Sequence, residues 1–162
     1  MLGKTHMAGG VAAGSLFLYT TNSIPAEAHI PFFAACTAGA LLPDICSPQS
    51  TIGRKLPILS RIFSGTFGHR TFTHSLAMLI LLWFGFGFLD WSGAIETGLF
   101  LGIVSHLILD ALTEDGIQFL WPFKIRFGLP SIAAIRTGGP FENIYLAAII
   151  AIIAYTGFNM YI

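Results

Sequence analysis

The chain has 162 residues with eight Lys and Arg against eight Asp and Glu, so charged residues make up 10% of it, where a soluble domain carries about a quarter. Hydrophobic residues reach 54% and the mean hydropathy is +0.75, more apolar surface than one core of this size hides, which argues against a soluble globular enzyme. Zero net charge and short charge runs argue against direct nucleic-acid binding, and two cysteines, Cys36 and Cys46, make no disulfide scaffold. What remains is a single integral membrane domain over residues 1–162.

A spanning helix needs about 20 mostly apolar residues, and five segments qualify in chain order: 5–21, 29–42, 75–90, 94–112 and 144–162. The first carries Gly9, Gly10 and Gly14, which suits close helix packing. The second is short and reads as a tilted or partly re-entrant helix. Between the second and third, Ile52, Leu56, Leu59, Ile62 and Phe63 fall near helical spacing with Arg54, Lys55 and Arg61 interspersed. That pattern predicts a short helix along the membrane surface, which Pro57 limits or kinks. Thr73 reads as the N-cap of the third span. The fold class expected is an all-α integral membrane protein, a bundle of about five transmembrane helices with a short interfacial helix.

The basic residues set the orientation, because cytoplasmic loops collect Lys and Arg. Lys4 precedes the first span, Arg54, Lys55, Arg61 and Arg70 lie between the second and third, and Lys124, Arg126 and Arg136 lie between the fourth and fifth. With five spans these places share one face, so the N-terminus is expected in the cytoplasm of a multi-pass inner-membrane protein. The opposite loops hold only the acids Glu27, Asp90 and Glu96. A competing reading takes Lys4, the apolar stretch after it and Ala26-Glu27-Ala28 as a secretory signal peptide, whose cleavage would remove His6.

Ionisable groups at membrane depth are costly and mark functional sites. His6 opens the first span, Asp44 closes the second, and His69 precedes and His74 opens the third. His106 and Asp110 sit in the last turns of the fourth, and Glu142 opens the fifth. All seven fall on the side assigned to the cytoplasm by Lys and Arg alone, while His29 falls on the other. His106 and Asp110 are four apart, on one helical face, so an imidazole and a carboxylate can reach the same metal. Each residue also has a plain reading: interfacial anchors for His69 and His74, a turn residue after Pro43 for Asp44, a helix-dipole partner for Glu142. Their convergence favours a metal site, and mixed imidazole and carboxylate ligation suits zinc, manganese or iron.

Thr5-His6 with Gly9-Gly10, Leu42-Pro43-Asp44-Ile45, Gly68-His69-Arg70 with Thr73-His74-Ser75-Leu76, Ser105-His106-Leu107 with Asp110 and Thr113, and Leu120-Trp121-Pro122-Phe123 together resemble the YdjM family. That family is described as inner-membrane, metal-dependent hydrolases and as LexA-binding. The resemblance implies a helical bundle with a divalent metal, zinc first, held by His6, Asp44, His69, His74, His106 and Asp110. Glu142 looks like the acid that the family places before its last helix. One position departs: the family reads Pro-Asp-Ile-Asp where this chain has Cys46, either a softer ligand or a lost one.

The expected chemistry is metal-assisted hydrolysis at the cytoplasmic surface, with Asp44 or Glu142 as proton acceptor and Arg70 on an anionic oxygen, most naturally of a phospholipid or other phosphoester. Lys124 and Arg126 beside Trp121-Pro122-Phe123 read first as an aromatic and basic anchor belt. Two alternatives stand beside this reading. One is a cation-binding transporter, for which no polar path to the other face is visible. The other is a membrane scaffold that binds a cytoplasmic protein partner through loops 44–74 or 113–143, where no docking motif is recognisable.

Overall fold

The computed structural model describes residues 1–68, 70–89, 91–130 and 134–161; His69 and Asp90, both singled out above, lie outside the described residues. The described chain forms seven α-helices and no strand: α1 (Gly3–Thr21), α2 (His29–Gly39), α3 (Thr51–Lys55), α4 (Pro57–Phe67), α5 (Leu76–Phe86), α6 (Gly93–Ala111) and α7 (Pro140–Tyr161). The all-α architecture therefore stands, and every expected apolar segment is helical.

Among the described residues, three stretches are long and apolar enough to cross a bilayer: Ala26–Cys46, Gly93–Ala111 and Pro140–Met160. The first exceeds the short second segment expected, because the 3-10 turns Ala26–Ala28 and Leu42–Cys46 flank α2 and extend it to 21 residues. Helix α1 has 19 residues, but Lys4, His6 and its glycines dilute its hydropathy. Helix α5 has only 11 residues, ending at Phe86 between Gly85 and Gly87 rather than running to residue 90.

Local chemistry explains the breaks. Ser75, not Thr73, caps α5: its Oγ accepts from the Met78 N–H, while Thr73 lies in the 3-10 turn Phe72–His74. Two neighbouring hydroxyls satisfied the same sequence signal, and the one immediately before the helix took the cap. Pro57 divides the interfacial segment. It sits at the start of α4, where its missing N–H costs nothing, and Leu56 at φ −123°, ψ 61° separates α4 from α3.

The core is built by backbone approach. Helix α2 is clasped between α1 and α6, with Gly10 on one side and Gly98 and Gly102 on the other. A Cβ on Gly102 would sit 2.2 Å from the Cys36 carbonyl oxygen, one on Gly98 2.5 Å from that of Phe32, and one on Gly10 2.5 Å from that of Cys36. Gly98 and Gly102 form the small-xxx-small spacing that lets membrane helices touch along their backbones. Phe32 and Cys36, fully buried, fill what space remains.

Helices α1, α2, α5, α6 and α7 alternate in direction. One end of the bundle thus collects the starts of α1, α5 and α7 and the ends of α2 and α6, as the contacts of Leu2 and Thr5 with Glu142 and of His6 with Asp110 show. Because α6 carries His106 and Asp110 at that end, the glycine contacts set their depth. Gly102→Ala is expected to lower the stability of the detergent-solubilised protein by about 1–3 kcal/mol. Gly85→Ala, where nothing lies within 4 Å of the new Cβ, is expected to change stability by less than about 0.5 kcal/mol. Thermal unfolding of the two variants side by side checks this.

Candidate metal centre

Four side chains meet at the collecting end of the bundle. Asp44 comes from the turn after α2, His74 from the turn before α5, and His106 and Asp110 from the last turns of α6; one ligand atom of each lies within 4.8 Å of all the others. His74 Nε2 is 3.1 Å from His106 Nε2, 3.5 Å from Asp110 Oδ2 and 3.9 Å from Asp44 Oδ1. His106 Nε2 is 3.7 Å from Asp110 Oδ2 and 3.8 Å from Asp44 Oδ1. Ligands about 2.05 Å from a tetrahedral zinc are about 3.4 Å from one another, and these five separations bracket that edge.

The ring orientations fit a cation as well. His106 Nδ1 donates to the Ala40 carbonyl at 2.7 Å, which leaves the Nε2 lone pair of the neutral ring aimed into the cluster. His74 Nδ1 is 3.0 Å from Thr73 Oγ1, so its Nε2 also faces inward. Two ring nitrogens 3.1 Å apart need a proton or a metal ion between them. Burial opposes a charge on His74, but Asp110 and the Cys46 thiol outweigh it and raise the imidazole to about 9. Three of the four groups are 0–1% exposed and only Asp44, at 14%, reaches the surface.

His6 lies beside this group. Its ring stacks on His106 with centroids 3.7 Å apart, and its Nε2 is 3.2 Å from Asp110 Oδ1, the oxygen turned away from the other three ligands. It is fully buried, and neither ring nitrogen has an aligned hydrogen-bond partner. The Met1 nitrogen reaches the same Oδ1 at 2.6 Å. Arg70, at φ +57°, places Nε 3.1 Å from Asp110 Oδ2 and Nη1 2.7 Å from Asp115. Its guanidinium thereby links the end of α6 to the loop that follows.

Glu142 stands apart from the cluster. Its Oε1 accepts from the Leu2 N–H and the Thr5 hydroxyl, both at 2.7 Å, and Oε2 accepts from the Gly138 N–H at 2.6 Å. It fastens the start of α1 to the start of α7. Lys124 and Arg126 are exposed, and His29 contacts the Ile24 carbonyl at the far end of α2.

A family described as YdjM inner membrane protein matches residues 1–162. The chain belongs to the YdjM family. A Bacillus subtilis (strain 168) protein, YvsG, is 44% identical over 149 residues, covering 92% of this chain and 89% of its own length. The inner membrane protein YdjM of Escherichia coli (strain K12) and that of Shigella flexneri are each 37% identical over 115 residues, covering 67% of this chain and 58% of theirs. No solved structure matches.

Against the YdjM pattern, Cys46 is fully buried beside His74 yet outside the four-residue group. Sequence reasoning missed three contacts: the Ala40 carbonyl, a backbone group with no side-chain signature; Asp115 on Arg70; and Thr5 on Glu142. Thr5 was visible only as a neighbour of His6. Because Glu142 serves α1 and α7 alone, Glu142→Gln is expected to cost about 1.5–3 kcal/mol while leaving the metal content unchanged. Unfolding and elemental analysis of one preparation check both parts.

Proposed function

We propose that this protein is a metal-dependent hydrolase of the cytoplasmic membrane, with its centre at the cytoplasmic end of the bundle and a phosphoester as substrate. The observation that carries the reading is a set of two imidazole nitrogens and two carboxylate oxygens all within 4.8 Å of one another, with His74, His106 and Asp110 buried and Asp44 partly exposed. The orientation rests on the basic residues: Lys4, Arg54, Lys55, Arg61, Arg70, Lys124, Arg126 and Arg136 all belong to segments at that end.

Catalytic sites differ from structural ones in keeping a position open. In this reading His74, His106 and Asp110 hold the ion, while Asp44, farther from both imidazoles and alone on the surface, borders the open side. Zinc suits this donor set, and manganese or iron would also be accepted. A metal held by these residues would lower the pKa of a water and polarise the scissile group, and Asp44 would be the group that takes the proton of the attacking water. The Ala40 carbonyl holds the tautomer of His106, His6 braces its ring plane, and Arg70 fixes the Asp110 carboxylate from the other side. Glu142 keeps the start of α1 in place, so that His6 stays on His106.

Protein purified in detergent without metal-affinity resin is expected to carry about one ion per chain, lost in His106→Ala and Asp110→Asn. Asp44→Asn is expected to retain most of the metal while hydrolysis of bis(4-nitrophenyl) phosphate falls about 100-fold or more. Elemental analysis and the chromogenic assay read the two quantities separately. No ion after incubation with zinc, manganese and iron at neutral pH would remove the metal centre and this function with it.

A further inference from the structure

A polar cleft of about 400 Å³ opens beside Asp44, lined among others by Ser47, Ser50, Thr51, Arg54 and Arg70. Its wall is rigid for a local reason. Ser50 Oγ donates to the Asp44 carbonyl at 2.8 Å and accepts from the Gly53 N–H at 2.9 Å, and a Cβ on Gly53 would lie 2.0 Å from the Ser47 carbonyl oxygen. Arg54 follows this locked contact and is held at the rim. The two arginines of the cleft are not equivalent: Arg70 is engaged by Asp110 and Asp115, whereas the exposed Arg54 guanidinium makes no hydrogen bond or ion pair among the described residues.

Helix α4 packs against the turn that carries Asp44. Its Ser60 is fully buried, while Ile58 and Ile62, one turn apart on the opposite face, are 76% and 58% exposed and flanked by the exposed Lys55 and Arg61. An apolar face edged by cations is suited to the headgroup layer of an anionic bilayer.

We infer that the cleft binds the phosphate of a membrane lipid, with Arg54 as the group that holds the anionic oxygen and α4 as the surface that brings the headgroup alongside Asp44. The inference rests on the hydrolase reading and adds its substrate class and a binding residue. A guanidinium fork matches the two non-bridging oxygens of a lipid phosphodiester. The hydroxyls of Ser47 and Thr51 offer further donors.

The test uses full-length, metal-loaded protein in dodecyl maltoside with two calorimetric probes: inorganic phosphate, and the short-chain lipid dioctanoyl phosphatidylglycerol. Arg54→Ala is expected to weaken both by about tenfold with the metal content of wild type, and Arg54→Lys to recover part of the loss. Ile58→Glu with Ile62→Glu is expected to weaken phosphatidylglycerol binding by about tenfold while leaving inorganic phosphate binding as in wild type. Unchanged phosphate affinity in Arg54→Ala at full metal content would overturn the role of Arg54 and leave the metal centre standing. Equal losses of both probes in the α4 variant, or phosphatidylglycerol binding unaffected by it, would overturn the lipid as source. Loss of metal from wild type would instead sink the hydrolase reading itself.

Discussion

The end of the bundle is organised around one buried carboxylate. Asp110 is 1% exposed, and it is met by His6 and the Met1 nitrogen on Oδ1 and by His74, His106 and Arg70 on Oδ2. A carboxylate removed from water at the end of an apolar helix costs several kcal/mol unless cations and donors surround it. Those partners come from α1, from the segment before α5 and from α6 itself. The starts of α1 and α5 are thereby tied to the end of α6 through the same two oxygens, and the fold and the site become one arrangement.

That arrangement needs α6 to lie deep against α2, which bulky side chains would prevent. Gly98 and Gly102 let the two backbones touch, and the Ala40 carbonyl comes within 2.7 Å of His106 Nδ1 as a result. The small residues of the membrane interior thus determine which nitrogen of a histidine faces the centre. A tautomer is chosen by helix packing two turns away from the ligand itself.

Much of this is legible in the residues. Lys and Arg lie on one side of every apolar segment, so His6, Asp44, His74, His106, Asp110 and Glu142 are sorted to one end before any contact is known, and the structure brings them there. The i,i+4 spacing of His106 and Asp110 places both in the cluster. What the spacing does not reveal is the partition among the six. Asp44, His74, His106 and Asp110 form the group, His6 stacks behind it, and Glu142 is taken up by Leu2, Thr5 and Gly138. That partition depends on backbone groups, whose positions no side-chain pattern encodes. The length of α5 escapes for a related reason: Trp83 to Leu89 is apolar throughout, and hydropathy does not register that glycines end the helix there.

The four ligand-bearing positions differ in how they are held, and this asymmetry bears on chemistry. His106 and Asp110 ride on a long helix, and His74 on a turn whose first residue after it caps α5. Asp44 sits on the 3-10 turn whose geometry depends on Ser50, Gly53 and the short helices α3 and α4 outside the bundle. A centre built this way has a fixed floor of imidazoles and one carboxylate, and a wall whose position is set by a segment seated at the surface. The group assigned to the proton is therefore the one whose placement responds to how α4 meets its surroundings. Under the proposed function, a bilayer at α4 and a substrate in the cleft would act on the same side chain, coupling membrane contact to the geometry of the site.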